Sequence, residues 1–255
     1  IISGAGLPMT LPTYRPEGCR TKLIPIVSSG RATTVITRRW MERFNYMPDA
    51  LIVEGPMAGG HLGFKPEHIE NPDFALENLV AEVLETVREL EQEYGKRMPV
   101  IAAGGIYTGA DIRRFLDMGA AAVQMATRFV TTFECDASDD FKQAYIGAEE
   151  EDLVIIKSPV GMPGRAIKNE FLTAVENGQK MPYRCPFHCI ITCDIENSPY
   201  CIAYALLSAR RGQFKNGFAF AGSNAWRAKT IISVKQLIAD IKEELRLSAP
   251  PQLAG

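Results

Sequence analysis

DALIVEGPMAGGHLGF, residues 49–64, holds the transition that decides the fold. Ala50-Leu51-Ile52-Val53 is a short continuous apolar run, the form of a strand buried on both faces. It breaks at Glu54-Gly55-Pro56 and empties into Gly59-Gly60-His61, with Gly63 close behind. Glycine lets backbone approach a ligand closely, and histidine moves protons near neutral pH. A lone histidine in a globular chain is more often structural or exposed, so both readings of His61 stand side by side. Glu54 can meet a ligand or satisfy backbone donors, and the backbone reading is preferred.

Outward from this stretch the same unit recurs. Ile1-Ile2 followed by a glycine turn reads as a strand, and Lys22–Ser28 (KLIPIVS) as the next. Arg31–Phe44 reads as a helix with Val35, Ile36, Trp40 and Met41 on its apolar side. On the far side, Asn71-Pro72 is a capping residue with proline in the first turn. Leu76, Leu79, Val80, Val83, Leu84, Val87 and Leu90 then recur at steps of three and four, up to Gly95. Pro99–Ala103 is another buried strand running into Gly104-Gly105. Thr108 and Asp111 form a capping box for a helix over Gly109–Met118. Ala121–Thr127 is the next strand. About five continuous apolar strands alternating with helices predict a parallel sheet covered on both faces. The regular spacing and the glycine loops favour an α/β TIM (β/α)8 barrel over an open doubly wound sheet. The opening, without initiator Met, reads as the interior of a domain, with the N-terminal strands of the barrel outside this chain.

The pattern changes after Phe133. A short helix is expected over Asp139–Ala148, a loop over Lys157–Arg165, a helix over Ala166–Asn177 and another over Tyr200–Arg211. Gly217–Ala225 is strand-like, and Ser233–Leu245 is an amphipathic helix capped by Ser233 with Gln236. A frayed tail follows from Ser248. The expected organisation is barrel over 1–133, a small helical, cysteine-bearing region over 134–232, and a terminal helix and tail over 233–255.

With a net charge of −2, nothing favours nucleic acid or a membrane surface as partner, and no apolar run is long enough to span a bilayer. No secretory signal opens the chain, and a cytoplasmic setting is expected. Among the six cysteines, Cys185, Cys189, Cys193 and Cys201 crowd together. Steps of four would share one helix face, unlike structural zinc knuckles or common iron–sulfur spacings. Buried reduced thiols are the plainer reading and a metal or redox-sensing segment the alternative; no metal ligand is assigned. Lys168-Asn169 reads by default as a solvated face.

Gly104-Gly105 and Ala126-Thr127 lie just past two successive strands. In a barrel these loops, with a helix N-terminus nearby, are a frequent phosphate site built from backbone N–H groups, to which Arg128 could add charge. Taken alone, Gly104-Gly105 could equally be a tight turn. EGPMAGGHLG (Glu54–Gly63), PVIAAGGI (Pro99–Ile106) and AVQMATRF (Ala122–Phe129), in that order, resemble the nitronate monooxygenase (2-nitropropane dioxygenase) family and its relatives, the FMN-dependent enoyl-acyl-carrier-protein reductases. GRAIKN (Gly164–Asn169) fits too, as does AGSNA (Ala221–Ala225), although better-known members carry an AGQ-type loop there. The resemblance covers roughly residues 1–225.

The resemblance implies an FMN-binding TIM barrel. Gly104, Gly105, Ala126 and Thr127 would hold the FMN phosphate. Gly59 and Gly60 would pass close to the flavin, as would the loop carrying Gly222 and Ser223, with Ser28 a weaker flavin-side candidate. His61 would be the catalytic residue beside the substrate. The implied reaction is oxidation of alkyl nitronates with O2. NAD(P)H-dependent reduction of an enoyl thioester is the alternative, and a metal-binding or redox-sensing flavoprotein an alternative of another class. Homodimerisation is an assembly open to such a chain.

Overall fold

The computed structural model describes residues 1–4, 6–181, 184–185, 187–189 and 193–248. The chain divides into two compact units, residues 1–56, 63–125 and 240–255 in the first, 57–62 and 126–239 in the second.

The first unit is built on five parallel strands. They begin with β1 (Ile2–Ser3) and β2 (Ile24–Val27). Helix α1 (Gly30–Phe44) follows, started by the Ser29 side chain accepting from the Ala32 N–H and ended by Asn45 in the left-handed region (φ 49°). Its buried stripe is Thr33, Ile36, Thr37 and Trp40, at helical spacing. Val35, expected on that side, is 40% exposed. It precedes Ile36 by one position, a turn of about 100° away from the stripe.

β3 (Leu51–Glu54) is the strand of the opening stretch, and Leu51, Ile52 and Val53 are essentially inaccessible. The chain then gives β4 (Gly60–His61) to the second unit. Asn71-Pro72 does not open the long helix as expected. Asn71 caps a single 3-10 turn, Pro72–Phe74, and α2 (Leu76–Tyr94) begins only after it. The proline-fixed turn uses up the capping signal before the apolar stripe starts. That stripe is buried except at Leu84, which is only part-buried, and Gly95 (φ 67°) ends the helix. β5 (Val100–Ala103), α3 (Gly109–Asp117) and β6 (Ala122–Gln124) complete the unit, with the Thr108–Asp111 capping box in place. The last strand stops at Gln124 rather than Thr127.

In space the strands lie in the order β1, β2, β3, β5, β6, each parallel to its neighbours. Chain order and sheet order agree, with no reversal. An open doubly wound sheet reverses at a switch point, whereas a (β/α)8 barrel adds each strand beside the last. The fold is of the TIM-barrel class.

The second unit differs from expectation in three places. Residues 157–165 are not a loop: β7 (Leu153–Lys157) and β8 (Pro163–Ile167) form an antiparallel hairpin, with β4 added at its other edge. Ser158 donates its N–H to the Met162 carbonyl across the turn, and Gly161 supplies the left-handed position (φ 86°). The helix placed over 166–177 is therefore only Glu170–Glu176 (α6 below), because Ala166 and Ile167 belong to β8 and Asn169 caps the helix. The cysteine segment carries no helix among the described residues. All six cysteines are free, and no three His, Cys, Asp or Glu side chains are grouped for a metal among the described residues.

The remaining helices are α4 (Thr127–Val130), α5 (Asp139–Ile146), α6 (Glu170–Glu176), α7 (Ile202–Arg210) and α8 (Val234–Leu247). Beside β8 runs Gly217–Ala225, held by one isolated bridge, Ala166 to Phe220, rather than by a full ladder. Strand alternation sorts the side chains here. Ala166 and Phe218 enter one buried cluster with Phe171, Leu172, Tyr200 and Ile202, while Ile167, Ala219 and Ala221 enter another with Tyr145 and Ala225. Among the described residues no helix is long and apolar enough to cross a membrane. The tail beyond residue 248 lies outside the described residues.

Candidate active site

His61 ends β4, whose partner across the ladder is Gly164, as Arg165 is for Gly60. This short pairing fixes the ring. Its Nε2 lies 2.7 Å from Oγ of Ser158, which is 2% exposed at the start of the β7–β8 turn. The Phe220 ring meets the imidazole edge-on at a centroid separation of 5.0 Å. Half-buried in this setting, the imidazole has its pKa pushed down by desolvation, which favours the neutral ring. The Ser158 hydroxyl can accept from Nε2–H or donate to Nε2; in the first arrangement Nδ1 is left as the acceptor.

The glycines around His61 are there for space. A Cβ on Gly59 would sit 2.5 Å from the carbonyl carbon of Ala221 and 2.6 Å from the amide nitrogen of Gly222. A Cβ on Gly222 would come within 2.8 Å of the Thr127 hydroxyl. The Met57 carbonyl accepts from Ser223 through both its N–H (3.1 Å) and its hydroxyl (3.3 Å). Arg165, 8% exposed, donates from its guanidinium to the Ala58 carbonyl at 3.1 Å. Tyr145 donates its hydroxyl to the Phe220 carbonyl, which anchors the backbone behind the ring facing His61. Gly60 differs: its φ is 83° and nothing lies within 4 Å of where a Cβ would be, so it offers open backbone.

The second unit thus brings together His61, Gly59, Gly60, Thr127, Gly222 and Ser223, all singled out from sequence. It places Ala126 at the exposed start of α4. Ser158, Arg165 and Phe220 join them without having been foreseen as site residues. Ser158 comes over β4 only because β7 and β8 fold as a hairpin, and no period-2 pattern in LVIIK or PGRAI marks that hairpin.

In the first unit, Ser28 donates its hydroxyl to the Gly63 carbonyl at 3.5 Å. Gly104 and Gly105 both take positive φ, 93° and 87°, as the chain leaves β5. The α3 N-terminus that follows is already supplied with carboxylates. Asp111 accepts from the N–H groups of Tyr107 and Thr108, and Glu244 from that of Gly109 at 2.8 Å. Glu54 departs from the preferred reading. Among the described residues no backbone N–H donates to its carboxyl, and burial alone pushes its pKa up to about 7.

The barrel-ordered parallel sheet defines an α/β protein of the barrel class, and its second unit holds a glycine-lined histidine against a buried serine. A family model, nitronate monooxygenase, matches residues 1–244. The chain belongs to the nitronate monooxygenase family. It is 31% identical over 209 residues to the nitronate monooxygenase of Paraburkholderia phytofirmans, covering 78% of this chain and 50% of that one. A probable nitronate monooxygenase of Staphylococcus aureus strain Newman is 33% identical over 169 residues, 66% of this chain and 43% of the relative. The chain thus spans about half the length of the curated relatives it matches. Among solved structures, FabK from Thermotoga maritima superposes with a TM-score of 0.71 at 28% identity, covering 97% of this chain and 68% of that one. The nitroalkane oxidase of Streptomyces ansochromogenes shares the fold, with a TM-score of 0.63 at 22% identity over 89% of this chain and 58% of that one.

Proposed function

We propose that this chain acts as an FMN-dependent oxidoreductase that oxidises alkyl nitronates with O2, with His61 as its catalytic residue. The observation that carries the reading is the neutral, buried-serine-held imidazole at the end of the GGH strand. The residues present suit a flavin. Gly60 leaves open space on its flank, and Gly104 and Gly105 leave β5 with no Cβ to stand in front of their amides. For the phosphate we retain the amides of Gly104 and Gly105 in the first unit, and treat Ala126 and Thr127 as candidates within the second. Gly59, Gly222 and Ser223 are proposed flavin neighbours, and Ser28 a weaker one.

When bound, FMN supplies the redox step, taking electrons from substrate and passing them to O2. The protein's part is positional and electrostatic. A nitronate is already a carbanion equivalent, so no strong base is needed; His61 hydrogen-bonds the nitro oxygens. With a neutral nitroalkane, Nδ1 takes the α-proton while Ser158 holds Nε2–H. Phe220 shields one edge of the ring from water.

The likeness to FabK favours a second reading, NAD(P)H-dependent reduction of an enoyl thioester, with His61 facing the thioester carbonyl. An anaerobic flavin spectrum separates the two. Bleaching by propyl-2-nitronate supports the first. Bleaching by NADH alone, then reoxidation by crotonyl thioester, refutes it.

A further inference from the structure

The run beside β8 is joined to it by the bridge between Ala166 and Phe220. Ile167 donates its N–H to the Ala219 carbonyl at 2.9 Å, and Ala221 its N–H to the Arg165 carbonyl at 3.2 Å. In an antiparallel pair bonded in this way, the central residue of the outer run turns its own N–H and C=O to the far side. There the Tyr145 hydroxyl donates to the Phe220 carbonyl. Tyr145 is 4% exposed on α5, and desolvation raises its pKa, so the hydroxyl keeps its proton as a donor. The ring carried by this tether is wedged in place. It lies over Gly164, where a Cβ would sit 2.9 Å from its Cε1, and Phe218 meets it edge-on at 5.1 Å. Gly164 is the ladder partner of His61, so the ring reaches the imidazole across a residue with no side chain.

We propose that Tyr145 is a positioning residue for His61: its hydroxyl fixes the Phe220 ring against the imidazole and so keeps water from one edge of it. The inference rests on the reading of His61 as the catalytic residue and extends it to α5. The elements around His61 carry charge at Arg165, whose guanidinium donates to the Ala58 carbonyl, and at Lys157, at the end of β7. Neither lowers the His61 pKa; desolvation does. With phenylalanine at position 145, the Phe220 carbonyl loses its donor. The run carrying it then shifts to reach water and the ring moves off. Hydration of the imidazole favours its charged form.

The test is NMR titration of the three histidines in the full chain, labelled at Cε1, with His61→Asn to assign the signal. Wild-type His61 should titrate below 6.5. Tyr145→Phe should raise its midpoint by about half a pH unit or more, which leaves about threefold less neutral imidazole below the midpoint. His68, stacked on Phe74 in the first unit, should not move. An unmoved His61 in folded Tyr145→Phe overturns the positioning role, and so does an equal movement of His68, which would mark a general loosening. If Tyr145→Phe does not fold, Phe220→Leu decides, because it keeps the backbone bond and removes only the ring; an unmoved His61 there overturns the role as well. A wild-type midpoint at or above 6.5 overturns it before any variant is made. The titration needs neither flavin nor substrate. If His61 moves as expected in a protein that neither binds FMN nor oxidises a nitronate, the positioning role stands and the proposed function falls.

Discussion

Glu54→Gln should stabilise the flavin-free protein at neutral pH and leave it unchanged in acid. In the folded chain burial raises the carboxyl from its ordinary 4.5 to about 7. The folded state therefore binds more protons than the unfolded state between those values, and stability falls as pH rises through that window. At about 1.36 kcal/mol per tenfold change in proton affinity, the full loss approaches roughly 3 kcal/mol. It is nearly absent at about pH 4, reaches about 2 kcal/mol near pH 6, and levels off above about pH 7. Glutamine has the same shape and no proton to lose, so the variant escapes the penalty. Urea unfolding of both proteins between about pH 4 and pH 8, read as the difference at each pH, isolates Glu54 from every other titrating group. A difference that stays flat across this range refutes the reasoning, since Glu54 would then titrate as a solvated carboxylate.

Four other outcomes follow from named groups. Ser158→Ala should fold, retain flavin and lose turnover by about one order of magnitude or more, with the acid limb of its pH–rate profile displaced; an unchanged profile would show that the Nε2 contact does not hold the imidazole. Because desolvation lowers the His61 pKa, that limb in the wild type should lie below the usual histidine value of 6.5, and a limb above it would contradict the burial of the ring. Gly59→Ala places a methyl group against the Ala221–Gly222 peptide and should cost about 1–3 kcal/mol by denaturant unfolding. Gly104→Ala forces a side chain onto φ 93° and should cost about 1 kcal/mol or more in the same measurement, whereas an alanine tolerated without loss would mean the turn relaxes.

What could be read from sequence divides along a physical line. Continuous apolar strands and the α2 stripe report burial on one element at a time, and there the pattern was sufficient: β2, β3, β5 and both flanking helices lie where periodicity put them. The Thr108–Asp111 box was equally legible, because its chemistry closes over three residues. The hairpin of β7 and β8 was not. Its turn is glycine- and proline-rich, β7 is only part-buried, and its register shows only once β4 is laid against Gly164 and Arg165. His61 could thus be picked out from its glycines, while Ser158 could not, since their contact spans 97 residues of chain and no local pattern announces it. Glu54 shows the same limit from the other side. A carboxylate after a buried strand, next to glycine, looks like a ready acceptor for backbone amides. The strand ladder instead passes its hydrogen bonds from Gly55 N–H to the Ala103 carbonyl and leaves the side chain out. Whether a polar side chain at a strand end serves the backbone or a ligand depends on its neighbour's register. For Glu54 that neighbour is an alanine with a glutamine beyond it, and neither supplies the backbone donor that a structural role would need.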